Sequence, residues 1–457
     1  MNTISHPQAA HLTEAPETVK VFVPAASRAA PSSTLGATAW IRKNMFSSVP
    51  SAFLTILGVW VIYTVLNGFI GWAWTNAIWE ASSRRDCLDK VGNAGACWPG
   101  VVVWIPNLIY GLYPKDEVWR INFAFLLLIV WLVPLWLPKV QSKVAIGLSM
   151  VLLFPLFASY MFMGGAKGPI WTALIALGLT GFLWAALTAV TETVFGVPVL
   201  RLVARKLGAT TAEAEARIGH FVLLALYGLA LFLVFELDFV EVRTRVWGGL
   251  FLTMVISGFG IAFSLPAGII LALGRRSKMP VISLLCTTFI ELFRSVPLIT
   301  ILFMFNTMLP LFLPAGVEVN QLLRAIVAVC LFASAYMAEI VRGGLQAIPR
   351  GQYEAASAMG LGFWQSTALI IMPQALKIMI PNIVGNFIGL FKDTTLVSII
   401  GLLDLLSMAR AVGQDTRWIG LFIEPFFFIT VIYFVFCFAM SQYSMNLEKR
   451  LNTGHKR

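Results

Sequence analysis

RGQYEAASAMGLGFWQSTALIIMPQ, residues 350–374, lies between two strongly apolar runs, yet it carries an arginine, a glutamate, a glycine pair at 360 and 362 and a closing proline. A plain linker between apolar helices would be shorter or more polar. Tyr353 to Met359 is rich in helix formers, Gly360 and Gly362 can stop that helix, and Phe363 to Met372 can form a second, amphipathic helix before Pro373 breaks it. The small Ala355, Ala356 and Ala358 would let another surface approach the backbone, while Arg350 and Glu354 offer directional charge pairing. Composition alone favours a helical hairpin lying on lipid headgroups; the spacing of the segment decides against it.

The flanking sequence decides the solvent. Of 457 residues 58% are hydrophobic and 12% charged, against roughly a quarter charged in soluble domains. Apolar runs near the bilayer-spanning length recur along the chain and are continuous rather than alternating, which excludes a β-barrel and predicts an all-α integral membrane protein. Spans are expected near 52–73, 121–138, 144–163, 170–191, 219–237, 248–273, 281–311, 322–342, 376–391 and 424–441, about ten transmembrane helices.

The net charge of +11 does not make a nucleic-acid binder, because the basic residues fall in short clusters between apolar runs. They report topology. Arg42 and Lys43, Lys139 and Lys143, Arg201, Arg205 and Lys206, Arg275, Arg276 and Lys278, Arg342 and Arg350, and Lys449, Arg450, Lys456 and Arg457 collect on one side. The other side has Arg84, Arg85, Lys90, Arg243 and Arg245. Counting basic residues puts both termini and residues 350–374 in the cytoplasm. Residues 1–40 lack a basic start followed by an apolar core and cleavage site, so no secretory signal peptide is expected, and residues 1–45 read as a disordered cytoplasmic tail, with 446–457 as a second tail.

Residues 46–240 read as an accessory transmembrane region with an outer loop at 75–118, and residues 241–445 as a core of five spans holding the cytoplasmic loop 343–373. Cys286, Cys330 and Cys437 sit inside apolar runs and read as small buried hydrophobes. Cys87 and Cys97 share a polar, turn-containing segment, which permits a disulfide if that segment lies outside the cytoplasm. No histidine partners them, so a metal site is not expected. Within 192–218, Thr210 and Glu213 have capping-box spacing and suggest a short surface helix.

Glu354, Ala355, Ala356, Gly360, Ile370, Met372 and Pro373 have the spacing Glu-Ala-Ala, three residues, Gly, nine residues, Ile, one residue, Leu, Pro, with Met372 in place of Leu. This resembles the cytoplasmic EAA loop of bacterial ABC importer permeases. TRVWGGLFLTMVIS at 244–257, FRSVPLI at 293–299, SAYMAEIVRGGLQAIPRGQYEAA at 334–356, PQALKIMIPN at 373–382 and FKDTTLVSIIGLLDL at 391–405 are similar to the polar amino-acid uptake family of these permeases. The outer segment with Cys97, Trp98 and Pro99, and WRINFAFLLLIVWLVPLW at 119–136, look like its broad-specificity L-amino-acid branch. Residues 164–237 depart from that pattern and read as an inserted helix pair.

The resemblance implies a permease subunit of a bacterial inner-membrane importer working by alternating access. It also implies two ATPase subunits carrying the ATP and magnesium, a second and related permease subunit, and a periplasmic amino-acid-binding protein. No G-x-x-x-x-G-K-[ST] phosphate loop occurs in this chain, so it needs no cofactor of its own and is not expected to be an enzyme. Arg350, Glu354, Ala355, Ala356, Gly360, Ile370 and Pro373 become the ATPase-coupling residues.

Ionisable residues within spans mark a pathway or an ion pair. Glu339 and Arg342 stand three apart on one helical face and fit either role; Glu291 and Arg294 have the same spacing and read as a structural pair. Lys392, Asp393, Thr394 and Thr395 could contact the carboxylate and ammonium of an amino acid, or form a helix cap with a salt bridge. Asp404, Arg410, Asp415 and Arg417 are expected at the outer surface, where a binding protein could dock. An ion-coupled secondary transporter would need carboxylates dispersed through the bundle and often paired repeats, and a membrane-anchored scaffold or sensor would not need polar residues at the ends of the core spans.

Overall fold

The computed structural model describes residues 36–165, 168–314 and 316–451, most of them in helices, and divides into two units, residues 1–75 and 76–457. In the first unit α1 (Ala37–Asn44) precedes α2 (Val49–Ile70), which one π-helical turn extends to Thr75. Ser48 caps α2 by accepting from the Ser51 amide, and Pro50 occupies the first turn, where its missing N–H costs nothing. The apolar α2 has the length of a bilayer span. Of the expected disordered tail 1–45, residues 1–35 lie outside the described residues. Residues 37–44 are helical instead, with Arg42 and Lys43 in the last turn complementing the helix dipole.

The second unit opens with α3 (Arg84–Val91), α4 (Trp98–Tyr110), α5 (Val118–Trp136), α6 (Lys143–Met163), α7 (Pro169–Phe195), α8 (Val199–Lys206) and α9 (Ala212–Glu236). Helices α5, α6, α7 and α9 are long and apolar enough to cross a membrane. The short helix of the 192–218 stretch is α8, at 199–206; the TTAEAEARIG segment instead starts the α9 span. Thr211, not Thr210, is its cap, accepting from the Ala214 amide.

Next come α10 (Gly249–Arg275), α11 (Pro280–Ser295), α12 (Leu298–Thr307), α13 (Gln321–Ala347), α14 (Arg350–Ala358), α15 (Phe363–Ser366), α16 (Met372–Asp393), α17 (Leu405–Val412) and α18 (Ile423–Leu451). Among the described residues nine helices suit a crossing by length and composition, and a tenth crossing needs α11 and α12 counted together. The expected span 281–311 is not one helix: α11 and α12 meet at 104°. Pro297 lacks an N–H and drives Val296 to extended geometry, φ −110° and ψ 134°, which ends α11. The last helix runs on through the start of the 446–457 tail to Leu451.

Helices α10 and α13 pack along each other at the centre, with Ala335 and Ala338 fully buried. Small residues suit this contact, since without a hydrophobic drive between lipid-immersed helices close backbone approach supplies the dispersion energy. Leu390 of α16 lies near Val329 of α13 across α10, and Ala375 lies near Gly344, so α13 and α16 run antiparallel.

Candidate functional site

At the C-terminal ends of α10 and α13 five charges from three helices share one network. Glu339 Oε1 accepts from Arg275 Nη1 at 2.6 Å, and Glu339 Oε2 accepts from Arg342 Nη2 at 2.7 Å and Nε at 2.9 Å. Arg294 Nη1 stands 3.6 Å from the same oxygen, and Arg275 Nη2 reaches Glu291 Oε1 at 2.9 Å. Glu291 and Arg294 therefore do not pair with each other. Three residues apart near the end of one helix, each finds a shorter path to α10 or α13. The Arg294 guanidinium also lies 5.6 Å from the Tyr336 ring centre.

The chain leaves this network through Ile348 and Pro349 into α14. Tyr353 ties α14 back: its hydroxyl donates to the Leu345 carbonyl at 3.0 Å and accepts from Arg276 Nη1 at 3.2 Å, while the Arg276 guanidinium covers its ring. Ala356 is buried against the bundle. Arg350, Glu354 and Ala355 are exposed, and neither Arg350 nor Glu354 forms an ion pair among the described residues. One face of α14 is thus held by the membrane helices and the other is open.

Gly360 ends α14 at φ +72°, and its amide donates to the Ser357 carbonyl at 3.0 Å. The second helix expected before Pro373 does not stop there. Helix α15 passes through one π-helical turn, Thr367–Ile371, directly into α16 with Pro373 in its first turn. The wider turn removes the demand for the missing proline N–H, so the helix continues where a break was expected. Ile370 belongs to that turn, and its carbonyl accepts from Gln374 Nε2, which also reaches Gln352 Oε1 of α14 at 3.1 Å. Met359, Phe363, Trp364 and Leu369 form an exposed apolar border beside the open face.

Lys392, Asp393, Thr394 and Thr395 lie at the far end of α16, about 20 Å along the bundle from Glu339 by helix rise. The structure does not bring the two sets together. Thr394 and Thr395 hydroxyls donate to the carbonyls of Phe391 and Lys392, as helix-end threonines do. Asp393 is partly buried and makes no hydrogen bond or ion pair with its side chain among the described residues.

At that same end Cys87 and Cys97 form a disulfide, packed with Trp418, Leu421 and Met408. Buried Glu424 accepts from the Cys97 amide at 2.9 Å and faces Arg84 Nη1 at 3.5 Å. Asp404 is not at the surface: it is fully buried and caps α17, accepting from the Leu406 and Ser407 amides and the Ser407 hydroxyl. Burial holds its carboxyl above the usual range, outweighing the lowering effect of those hydrogen bonds. Asp415 accepts from Trp104 Nε1 at 3.1 Å, while Arg410 and Arg417 are exposed.

Sequence reading missed Arg275, Arg276 and Tyr353. In sequence the two arginines are only topology markers, and the tyrosine only a helix former. It also missed α4, whose two prolines disguise a helix that Pro99 starts and Pro106 leaves unbroken.

The sequence matches the family described as "Binding-protein-dependent transport system inner membrane component" over residues 264–453. It is 39% identical to the inner membrane amino-acid ABC transporter permease protein YhdY of Escherichia coli, over 95% of this chain and 98% of that one. It is 40% identical to the glutamate/glutamine/aspartate/asparagine transport system permease protein BztC of Rhodobacter capsulatus, over 94% and 97%. A solved amino acid ABC transporter with histidines is 30% identical over 43% of this chain and 90% of that chain, with a TM-score of 0.39.

Proposed function

We propose, from the premise that this chain belongs to the amino-acid ABC transporter permeases, that α14 is the element through which a separate ATPase drives it. The observation that carries this reading is the two-sidedness of α14, clamped by Tyr353 and Ala356 on one face and open at Arg350, Glu354 and Ala355 on the other. ATP and magnesium belong to that partner. A rigid helix docked on a closing ATPase can bias two states of the permease only through contacts that differ between them. The Arg275–Glu339–Arg342 network is placed to make that difference, because it joins α10, α11 and α13 where α14 departs. Gly360, Ile370 and Pro373 set the angle at which α14 is presented.

The cargo in this reading is polar L-amino acids, in line with the name of the Rhodobacter relative, moved inward across a bacterial inner membrane. A periplasmic binding protein delivers it, and a second, related permease subunit completes the path. Both termini are cytoplasmic in this reading, in line with the basic clusters. Asp393, with Lys392, Thr394 and Thr395 around it, is the pathway acceptor, whereas Glu339 and Arg342 act as the cytoplasmic lock.

The test is uptake of labelled amino acids into vesicles holding the permease, its ATPase and its binding protein. Uptake should stop on ATP depletion and survive an ionophore; the reverse pattern would establish an ion-coupled carrier.

A further inference from the structure

At the end of α13 opposite α14 a cavity of about 730 Å³ opens between the linker 241–245, the start of α13, and α6 with α7. Its size falls within the range of small-ligand sites, roughly 300–1,000 Å³. Arg243, Arg245 and Arg324 line it together with Glu241 and Glu318. None of these five residues forms an ion pair among the described residues. That contrasts with the other end of α13, where five charges satisfy one another.

The frame around these charges is fixed. Thr244 and Asn320 exchange hydrogen bonds through their side chains, and Asn320 caps α13 through the Leu322 amide. Arg324 is anchored by Nη1 on the Asn306 carbonyl, and its Nε is buried without a hydrogen-bond partner. Tyr160, on the opposite wall, is tied to the Leu237 carbonyl.

We propose that this cavity binds an acidic amino acid, its two carboxylates on the guanidiniums and its ammonium on Glu241 or Glu318. Among the described lining residues, three arginines and two glutamates leave one positive charge over, which a ligand with two carboxylates and one ammonium cancels. A simple anion such as phosphate would leave the glutamates facing it with like charge, and a neutral zwitterion would leave one guanidinium unmatched. Fork-shaped guanidinium–carboxylate pairing supplies the geometric selectivity. The inference rests on the amino-acid cargo proposed above and adds to it a second place where that cargo is held.

The experiment is equilibrium binding of labelled L-glutamate to the full permease–ATPase complex in lipid nanodiscs without binding protein, at constant ionic strength. Saturable binding is expected, weakened about tenfold or more in Arg243→Gln/Arg245→Gln, since each lost charge-assisted bond is worth roughly that factor. The Arg243→Lys/Arg245→Lys variant should fall between the two, with charge kept and the fork lost. Equal affinity in the glutamine variant, no saturable binding, or displacement by inorganic phosphate or L-glutamine as effective as by L-glutamate would each overturn the proposal. ATP-driven uptake by the same complex reconstituted in sealed proteoliposomes, with binding protein restored, separates the two readings. Uptake without cavity binding defeats this inference alone, and a complex that transports no amino acid defeats the assigned function.

Discussion

Arg275 of α10 and Glu339 of α13 meet at 2.6 Å although 64 residues separate them in the chain, and around that contact Glu291, Arg294 and Arg342 are arranged. Glu339 is the shared acceptor of three guanidiniums, so its loss leaves three like charges at one place. Glu339→Gln is expected to lower stability by about 1–3 kcal/mol, the range for a partly exposed charged network. Thermal unfolding in detergent reads the loss directly. Arg275→Gln should cost less, and the double variant less than the two together. Strict additivity would show that the pair is not coupled.

Tyr353→Phe keeps the ring under the Arg276 guanidinium but removes the hydroxyl that joins Arg276 to the Leu345 carbonyl. A loss of about 1 kcal/mol in the seating of α14 is expected. The functional sign is a rise in ATP hydrolysed per amino acid moved, measured in proteoliposomes on one preparation. An unchanged ratio would remove Tyr353 from the coupling route.

Gly360 combines a left-handed backbone, φ +72°, with an amide that donates to Ser357. Proline fixes φ near −65° and has no N–H, so Gly360→Pro fails on both counts. The variant should insert normally, because the turn lies between helices, yet hydrolyse ATP without transport. Gly360→Ala meets no atom within 4 Å and should cost only about 1 kcal/mol of backbone strain. Normal transport by the proline variant would refute a coupling role for this turn.

What is legible in the sequence, and what is not, divides along a physical line. Apolar runs such as Phe426–Met440 announce a span because lipid acts on every residue of the run alike, and Gly360 is legible because a tight turn needs its backbone locally. The partners of Arg275 and Glu291 are not legible, since a charge chooses among neighbours that only packing supplies. Prolines show the same limit: Pro297 bends its helix pair by 104°, while Pro373 and Pro106 leave theirs running. The difference lies in whether the preceding turn can release the missing hydrogen bond. Asp404 reads as a surface acid because a lone carboxylate is costly to bury, even among Leu402, Leu403, Leu405 and Leu406, yet its role as the cap of α17 places it in the interior.

The Cys87–Cys97 bond closes a loop of sequence separation 10 and holds α3 against the start of α4. Chain-entropy reasoning gives about 2–3 kcal/mol for such a loop. Cys87→Ser should leave the membrane helices folded but expose residues 84–98 to protease. With Cys286, Cys330 and Cys437 replaced by serine, a membrane-impermeant maleimide should add mass to intact cells' protein only after reduction. A shift without reductant in that background would contradict the bond, and no shift after reduction would contradict the orientation inferred from the basic clusters.

Two glycines of α10, nine residues apart, give the sharpest contrast. Gly249 has φ +60°, and a Cβ there would lie 2.2 Å from the Leu108 carbonyl oxygen and 2.9 Å from that of Asn107, backbone atoms that cannot rotate away. The same residue bridges to Asp404, so a shift at 249 reaches the cap of α17. At Gly258 an added methyl group would meet no atom within 4 Å. Gly249→Ala is therefore expected to cost more than about 3 kcal/mol through clash and strain together, whereas Gly258→Ala should gain up to about 1 kcal/mol of helix propensity. Folded yield by size-exclusion chromatography, with unfolding temperature in detergent, measures both. Because the clash falls on the backbone of α4 at Leu108 and the disulfide sits at the start of that helix, the damaged protein should also show early reduction of the Cys87–Cys97 bond. Equal behaviour of the two variants would mean that α4 does not sit against the start of α10.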